Sequence, residues 1–430
     1  MESLNIRVIT LGCKVNQCES ASIVATLRLN NYSASEGLEP ADVYILNTCS
    51  VTAEADKKSR QYIAKMRKLN PECKIIVVGC SSQNAPKGFN KNNVVAIGGT
   101  LNKSDFVLKT IENICKNNQY NTLSNIILLD NLTESVEKCG EYCYEEYPES
   151  DKTRAFIKIQ DGCNRFCTYC IIPYLRGRSR SRSIEDVVRE FDRIESKETV
   201  ITGVDISAYG MDINTNLAAL LDALSSTKMR KRLGSLECEA VNEPLLDVMA
   251  RGGYCPHFHL SLQSGDNTVL KSMNRRYDAE YFYGKIELIR KYFPLAGITT
   301  DVIVGFPTET DELFENSCDF IKNCEFSDIH VFPYSRRIGT LAAKKYGELH
   351  PETVKSRVNK LLKIKNESRL RFMRKNLGVI APVYIEDSEG DYNVGYTPNY
   401  IKVYSHAPCG DIVDLKLAEL YGDNGIIGIQ

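Results

Sequence analysis

The sequence predicts an α/β protein built in three parts along its 430 residues. The first part reads as a parallel α/β domain, the second as a partial (β/α)6 barrel and the third as a small antiparallel β-barrel. Three observations lead to this prediction. Strand-like and helix-like segments alternate over most of the chain, an acidic stretch without periodicity divides them into two series, and the last segment alternates like strands alone.

The composition indicates the cellular compartment in which the protein works. No apolar run approaches the roughly 18 residues that suggest a membrane span, and the N-terminus lacks the basic and apolar regions of a signal peptide. The chain holds 16 cysteines, which without a secretion signal favour a reducing compartment, where thiols bind metals or pack as small apolar groups. We therefore expect a cytoplasmic protein with no membrane partner.

The first part, residues 1–130, repeats a strand followed by a helix. Its predicted strands are Ile6–Leu11, Val43–Leu46, Ile75–Val78 and Val94–Ile97, and its predicted helices are Glu19–Leu29, Ala53–Leu69 and Lys103–Cys115. Three of the strands are followed by a cysteine, at Cys13, Cys49 and Cys80. Because ligands of parallel sheets lie beyond the carboxyl ends of the strands, these thiols should converge. We interpret them as a metal site rather than as three unrelated buried residues.

A second cysteine triplet has the spacing C-x3-C-x2-C, at Cys163, Cys167 and Cys170. Iron–sulfur cubanes are normally held by four thiolates, so three would leave one iron open to a chelating molecule, much as a catalytic zinc keeps an open position. Structural zinc usually takes four ligands, and a disulfide set needs an oxidising compartment. An open iron–sulfur cluster is the preferred interpretation, with a zinc-ribbon protein as the alternative.

This triplet follows the first strand of the second part, residues 153–377. Its six predicted strands are Arg154–Ile159, Thr199–Thr202, Leu233–Leu236, Phe258–Leu262, Ile298–Val304 and Ile329–Pro333. The predicted helices between them include Ile184–Ser196, Leu217–Ser225, Glu243–Met249, Ala279–Tyr292 and Glu309–Asn323. Six such units suit an open (β/α) barrel, whose chemistry lies at the carboxyl ends of the strands. The acidic stretch 131–152 before it is interpreted as a linker.

Two basic stretches favour a nucleic-acid partner. The first follows the second triplet and consists of Arg176, Arg178, Arg180 and Arg182. The second is a predicted helix over Val354–Leu377 with nine basic residues, among them Lys363 and Arg371. A charged helix face is usually only solvated surface, but a second basic cluster beside a catalytic motif favours phosphate binding.

The third part, residues 378–430, changes character. Val379–Glu386 and Tyr400–Tyr404 alternate like half-buried strands, and the turn sequences Glu389–Asp391 and Cys409–Asp411 follow them. A small antiparallel barrel is the natural prediction.

Together these motifs resemble the radical S-adenosylmethionine methylthiotransferases over essentially the whole chain. The matching segments are TLGCKVNQ, LNTCSVT and VVGC in the first part, and DGCNRFCTYCIIPYLRGRSRSR, HFHLSLQSGDNTVLKSMNRRY, TTDVIVGFPTETDE and HVFPYSRRIGT in the second. The third part resembles the TRAM domain, a small RNA-binding module. The resemblance implies a radical S-adenosylmethionine cluster on Cys163, Cys167 and Cys170, and an auxiliary cluster on Cys13, Cys49 and Cys80. Both are of the 4Fe-4S type, so the implied cofactors are two 4Fe-4S clusters and S-adenosylmethionine.

Residues that contact S-adenosylmethionine are implied by motif only. They are Tyr169, Gly203, Asp205, Ser235, Glu237 and Gln263.

The segments GCKVNQ, NTCSVT and MNRRY are most similar to the branch that modifies N6-threonylcarbamoyladenosine beside the tRNA anticodon, whereas the isopentenyladenosine branch typically reads GCQMN. The resemblance implies methylthio transfer to carbon 2 of that base. It also implies the tRNA anticodon stem-loop, an electron donor such as flavodoxin or ferredoxin, and a sulfur source as partners. The alternatives are isopentenyladenosine in tRNA, a ribosomal-protein side chain, or a non-catalytic iron–sulfur RNA-binding protein.

Overall fold

A computed structural model describes residues 4–91, 93–116, 127–128, 140–142, 153–227 and 229–430. The described chain forms a parallel α/β sheet, an open barrel and a closed C-terminal barrel, which confirms the predicted fold class. Most of the acidic stretch 131–152 lies outside the described residues.

The N-terminal sheet has six parallel strands in the order β2-β1-β3-β4-β5-β6. They are β1 Asn5–Thr10, β2 Ser33–Glu36, β3 Val43–Thr48, β4 Lys74–Gly79, β5 Val94–Ile97 and β6 Ile127–Leu128. The helices are α1 Lys14–Leu29, α2 Ala53–Leu69, α3 Cys80–Asn84 and α4 Lys103–Lys116. All four predicted strands are present, because strands buried on both faces appear in the sequence as continuous apolar runs. The edge strand β2 was not predicted, since only Ala34 of its four residues is buried.

The second part contains six parallel units around an open barrel. Its strands are β7 Arg154–Asp161, β8 Arg180–Ser181, β9 Glu198–Gly203, β10 Arg230–Leu233, β11 Ser235–Leu236, β12 His257–Gln263, β13 Gly297–Val304 and β14 Asp328–Pro333. They form two adjacent sheets, in the orders β10-β9-β7-β8 and β11-β12-β13-β14. Gly234 divides the third predicted strand into β10 and β11, and β8 is a short antiparallel addition to β7.

Nine helices of the described residues surround the open barrel. They are α5 Ile172–Arg176, α6 Ile184–Phe191, α7 Leu217–Ala223, α8 Glu243–Arg251, α9 Asn267–Ser272, α10 Ala279–Tyr292, α11 Asp311–Asn323, α12 Leu341–Lys345 and α13 Pro351–Lys375. Several begin at a side chain that accepts a hydrogen bond from a free backbone N–H of the first turn. Ser183, Asn242 and Asp278 cap α6, α8 and α10 in this way. These caps fix the helix starts close to where the sequence predicts them.

The C-terminal barrel closes in the order β15-β16-β17-β19-β18. Its strands are β15 Ile380–Glu389, β16 Tyr392–Tyr396, β17 Lys402–Ser405, β18 Ile412–Tyr421 and β19 Gly425–Ile429. The predicted barrel is present, and its pairs are antiparallel except for β17 and β19, which run parallel and close it. The loop between β16 and β17 seats this barrel on the amino-terminal ends of the open barrel's strands. There, Arg232 Nη1 donates to Pro398 O at 2.9 Å, and His257 stacks on Tyr400 with ring centroids 4.6 Å apart.

No helix in the described part of the chain is long and apolar enough to cross a bilayer.

Candidate active site

The second cysteine triplet lies on the loop that follows β7, at the carboxyl end of the open barrel's first strand. Gly162 opens this loop with φ +73°, and a Cβ added there would lie 1.9 Å from Arg178 O, so only glycine fits. The Cys163 N–H then donates to Gly177 O at 3.0 Å. The loop therefore folds back on the segment after α5, which holds the triplet at the mouth of the barrel.

Two of the three thiols of this triplet lie in an environment that disfavours free thiolates. Burial raises the pKa of Cys163 and of Cys170 to about 12, and Asp205 adds to the shift at Cys163. The Asp205 carboxylate is 3.9 Å from Cys163 Sγ, whereas Arg275 Nη1 donates to Cys167 Sγ at 3.3 Å. Such thiols lose their protons when they bind a metal.

The other triplet follows three adjacent strands of the N-terminal sheet. Cys13 comes after β1, Cys49 after β3 and Cys80 after β4. Burial raises the pKa of Cys49 to about 11, and Cys13 and Cys80 contribute to the shift, so the three thiols lie close enough to interact. Gly12, with φ +101°, leaves no room for a side chain against Cys49: an added Cβ would lie 2.4 Å from Cys49 Cβ and 2.5 Å from its Sγ. The sheet thus gathers the three thiols that the sequence places far apart.

The thiols of each triplet are spread more widely than the ligands of a single zinc ion. Among the described residues, the group whose potential ligand atoms all lie within 4.8 Å of one another is His259, Asp301 and His330. Neither cysteine triplet is gathered that tightly. Tetrahedral zinc, with Zn–S bonds near 2.3 Å, would bring thiolates to about 3.8 Å from each other. The soft thiol donors of both triplets are the ligand type that iron–sulfur clusters take.

The two triplets face each other across the boundary between the sheet and the barrel. Cys80 packs in one buried cluster with Ile171 and Leu175, which flank and follow Cys170. Cys80 also contributes to the raised pKa of Cys170, after the dominant effect of burial. A molecule bound between the triplets would therefore be within reach of both.

Beside the second triplet lies a mesh of carboxylates and arginines. Arg165 Nε donates to Asp205 Oδ2 at 2.8 Å, and its Nη1 lies 3.1 Å from Glu239 Oε1. Arg275 pairs with Glu237, whose pKa is raised by burial although Arg275 and Arg165 oppose the shift. Asp205 and Glu237 were predicted from the sequence, whereas the two arginines and Glu239 were missed. The available signal was that Arg165 lies inside the triplet motif and Arg275 inside MNRRY.

The remaining predicted cofactor residues lie around the same mouth. Gln160 holds the strand end that carries Asp205, since its Oε1 accepts from the Asp205 N–H at 2.8 Å, and a Cβ on Gly203 would lie 2.9 Å from Gln160 O. Gln263 ends β12 with φ +72°. Ser235 is exposed on β11, and Tyr169 packs against the small apolar cluster that includes Met273.

Three of the four arginines assigned to RNA are buried, which corrects that prediction. Arg176, Arg180 and Arg182 expose 2%, 1% and 7% of their surface. Arg182 pairs with Asp186 at 2.7 Å, and Arg180 donates to the carbonyl oxygen of Arg176 at 2.9 Å. The N–H donors of these guanidinium groups already bind carboxylate and carbonyl oxygens, so they are not free to bind RNA phosphates. Of the four, only Arg178 is exposed.

The basic helix and the C-terminal barrel differ sharply in charge. Lys363 and Arg371 are exposed on α13, as the sequence predicts, and Arg371 lies 3.7 Å from Glu325. Residues 378–430, in contrast, hold eight carboxylates and two lysines. One of the lysines, Lys402, pairs with Glu389. The exposed basic charge therefore lies on α13 and not on the C-terminal barrel.

The chain matches two protein-family models. Residues 157–321 match the radical SAM superfamily, and residues 5–98 match the family described as uncharacterized protein family UPF0004. A solved structure of TsrM from Kitasatospora setae, a radical S-adenosylmethionine methyltransferase, aligns with a TM-score of 0.57 and 13% identity over 79% of this chain and 77% of that one. At this level of identity the similarity shows the fold alone.

Curated relatives match nearly the whole chain. The chain is 36% identical over 428 residues to the threonylcarbamoyladenosine tRNA methylthiotransferase MtaB of Bacillus subtilis, covering 95% of this chain and 92% of the relative. It is 33% identical to the tRNA-2-methylthio-N(6)-dimethylallyladenosine synthase of Thermodesulfovibrio yellowstonii, covering 98% and 97%. The family implies an iron–sulfur cluster, S-adenosylmethionine and tRNA. The chain therefore belongs to the radical S-adenosylmethionine tRNA methylthiotransferases.

Proposed function

We propose that the protein transfers a methylthio group to carbon 2 of N6-threonylcarbamoyladenosine next to the tRNA anticodon, using two 4Fe-4S clusters. The observation that carries the proposal is the pair of thiol triplets that face each other across one boundary. Cys163, Cys167 and Cys170 would hold one cluster, and Cys13, Cys49 and Cys80 the other. With S-adenosylmethionine bound, these cofactors supply the radical reactivity and the sulfur that an unactivated C–H bond requires.

The chain's own residues bind and orient S-adenosylmethionine at this site. The Asp205 carboxylate lies at a strand end beside Cys163, where it can accept hydrogen bonds from the methionine ammonium group. Arg165 and Gln160 fix its position, through 2.8 Å hydrogen bonds to its side chain and its backbone N–H. Arg275 anchors Glu237 in the same mesh. These hydrogen bonds and ion pairs join several elements and hold the polar groups in place before S-adenosylmethionine binds. Less free energy is then spent on ordering the site when the cofactor binds.

Lys14 supports the choice of nucleoside. It follows Cys13 at the start of α1, and within the described part of the chain it makes no hydrogen bond or ion pair. It is open to solvent on one side, but burial by the surrounding protein, and then Arg232 and Arg154, lower its pKa. The threonylcarbamoyl group keeps a free carboxylate, whereas the dimethylallyl group is a neutral hydrocarbon. Lys14 follows Cys13 in the chain, and although Glu198 partly opposes the lowering of its pKa, an ammonium group without a hydrogen-bonded partner among the described residues suits the charged substituent.

The activity is tested by anaerobic incubation of the reconstituted protein with reductant, S-adenosylmethionine and tRNA that carries threonylcarbamoyladenosine, followed by mass spectrometry of the nucleosides. We expect the 2-methylthio product, and we expect it to disappear in Cys13→Ala and in Cys163→Ala. Product formed only on tRNA with dimethylallyladenosine would contradict the assignment.

A matched pair at Lys14 tests how the nucleoside is recognised. A hydrogen bond to a charged group contributes about 1.5–3 kcal/mol, so Lys14→Gln should lower kcat/KM on threonylcarbamoyladenosine tRNA by roughly 10- to 100-fold. Lys14→Arg keeps the charge and should retain most of the activity. Equal losses in both variants, or no loss in Lys14→Gln, would exclude a charge-based role for this residue.

A further inference from the structure

Arg176 joins the two halves of the site. It is the last residue of α5, six positions after Cys170, yet its guanidinium binds side chains of α1 in the N-terminal part of the chain. Its Nη1 donates to Glu19 Oε1 at 2.8 Å and to Asp161 Oδ1 at 3.0 Å, and its Nη2 donates to Asn16 Oδ1 at 2.9 Å. The partners come from α1 and β7, so Arg176 is fixed from both sides of the boundary.

The remaining nitrogen of this guanidinium points at a thiol. Arg176 Nε donates to Cys80 Sγ at 3.3 Å, inside the buried core of the boundary. Arg275 makes the equivalent contact in the other triplet, with Cys167 Sγ also 3.3 Å from its Nη1. Each triplet thus has one cysteine sulfur that accepts a hydrogen bond from an arginine side chain. Hydrogen bonds to sulfur are among the features that set the reduction potential of an iron–sulfur cluster.

The charges around Arg176 are unbalanced. Two buried carboxylates, Glu19 and Asp161, form ion pairs with four buried cations, namely Lys103, Lys158, Arg176 and Arg180. Even with Lys158 left out of the count, three cations face two carboxylates among the described residues.

Uncompensated charge inside a protein costs several kcal/mol per ion, so a further anion belongs beside this network. Thiolates that hold a cluster at Cys80 would provide that anion, because Cys80 is the sulfur that the network touches.

We propose that Arg176 is a positioning and tuning residue of the auxiliary cluster, which donates an N–H to the Cys80 sulfur and raises that cluster's reduction potential. The inference rests on the proposed function, since it requires a cluster on Cys13, Cys49 and Cys80. The reduced cluster carries one more negative charge than the oxidised cluster. A buried cation in contact with its ligand therefore stabilises the reduced form more.

The test isolates the auxiliary cluster in the full-length chain. In the parent protein, Cys163, Cys167 and Cys170 are all replaced by Ala, so that only the N-terminal triplet can hold iron. Arg176→Gln and Arg176→Lys are added to this parent. Iron content and the midpoint of a dithionite titration, followed by electron paramagnetic resonance, are measured without S-adenosylmethionine and without tRNA.

We expect Arg176→Gln to have a lower midpoint than the parent and Arg176→Lys to lie between them. If Arg176→Gln loses its iron while Arg176→Lys retains it, the positioning role is supported. An unchanged midpoint in both variants overturns the inference, because a residue that served only the packing of the boundary would change stability and not potential.

The parent itself gives a measurement that needs no substitution at Arg176. Electron–nuclear double resonance in H2O and in D2O should detect an exchangeable proton coupled to the reduced cluster, and its absence would overturn the inference. A parent that binds no iron would instead refute the two-cluster function. The modified nucleoside does not enter either measurement, so an error in the substrate leaves both results unaffected.

The matched control is Arg275→Lys in a protein whose N-terminal triplet is replaced by Ala. It should shift the midpoint of the radical cluster through the corresponding contact with Cys167. Arg275→Lys in the protein that lacks Cys163, Cys167 and Cys170 should leave the midpoint potential of the auxiliary cluster unchanged. A shift of the auxiliary midpoint by Arg275→Lys would contradict an effect that depends on direct contact with the ligand.

Discussion

Gly12→Ala should remove the auxiliary cluster and leave the rest of the protein folded. Gly12 has φ +101°, and a Cβ built on it would lie 2.4 Å from Cys49 Cβ and 2.5 Å from Cys49 Sγ. Non-bonded carbon atoms prefer separations of about 3.5–4.0 Å. The added methyl group must therefore push Cys49 or the Gly12 backbone by about 1 Å.

The size of this displacement decides the outcome. Metal–ligand distances are sound only within about 0.2 Å of their usual values, so a shift several times larger removes Cys49 from the ligand set. The left-handed backbone adds about 1–2 kcal/mol for a residue with a Cβ. That strain is small enough for the domain to fold around a displaced cysteine.

Iron and sulfide analysis of the reconstituted variant tests this reasoning. Iron should fall from about eight to about four atoms per chain, and the 2-methylthio product should vanish while 5′-deoxyadenosine still forms. The matched control is Gly284→Ala in α10, where an added Cβ meets nothing within 4 Å. It should keep all its iron and gain up to about 1 kcal/mol of stability. A Gly12→Ala protein with full iron and normal product would refute the argument.

Three further variants have defined outcomes. Glu19→Gln should cost about 3–5 kcal/mol in urea unfolding because it leaves buried cations unpaired. Against the effect of burial, its cationic partners hold the pKa of Glu19 well below the usual range. The ionised Glu19 carboxylate therefore stabilises the fold fully above about pH 4.3, and this stabilisation is lost as the pH falls below that value. The difference in the free energy of unfolding between Glu19→Gln and the wild type should narrow there. Asp205→Asn should weaken S-adenosylmethionine binding by about tenfold in equilibrium dialysis, through loss of a charged hydrogen bond. Lys363→Glu with Arg371→Glu should weaken tRNA binding and reduce its salt dependence by about one unit of slope for each lost phosphate contact.

Surface residues of the same chemistry serve as controls. Glu315→Gln breaks an exposed ion pair with Lys360 and should cost less than about 1 kcal/mol. Asp222→Asn, at the exposed pair with Arg251, should leave cofactor affinity unchanged. Lys109→Glu, on α4, should affect tRNA binding less than the α13 pair. Controls that change as much as the test variants would contradict the assigned sites.

The sequence alone determined the fold class and the chemistry of the site. Helices and strands were predictable because hydrophobic periodicity and capping residues are local properties. The C-x3-C-x2-C motif was equally informative, since three thiols within eight residues of the chain lie close together in space. The strand-end cysteines needed one further rule, that parallel strands end at the same edge of a sheet. Edge strand β2 escaped prediction because so little of it is buried.

Only the tertiary structure decided what the charged residues do. A run of arginines in the sequence predicts an exposed, phosphate-binding surface, but Arg176 is buried because Glu19 lies against it, 157 positions away in the chain. Lys14, in contrast, makes no hydrogen bond or ion pair with a described residue, and Glu198 only partly offsets the lowering of its pKa by burial and by Arg232 and Arg154. The energy of a charge depends on its neighbours in space and on its distance from water. Neither can be read from residues adjacent in sequence, so the surroundings of Arg176 and Lys14 become visible only in the folded chain.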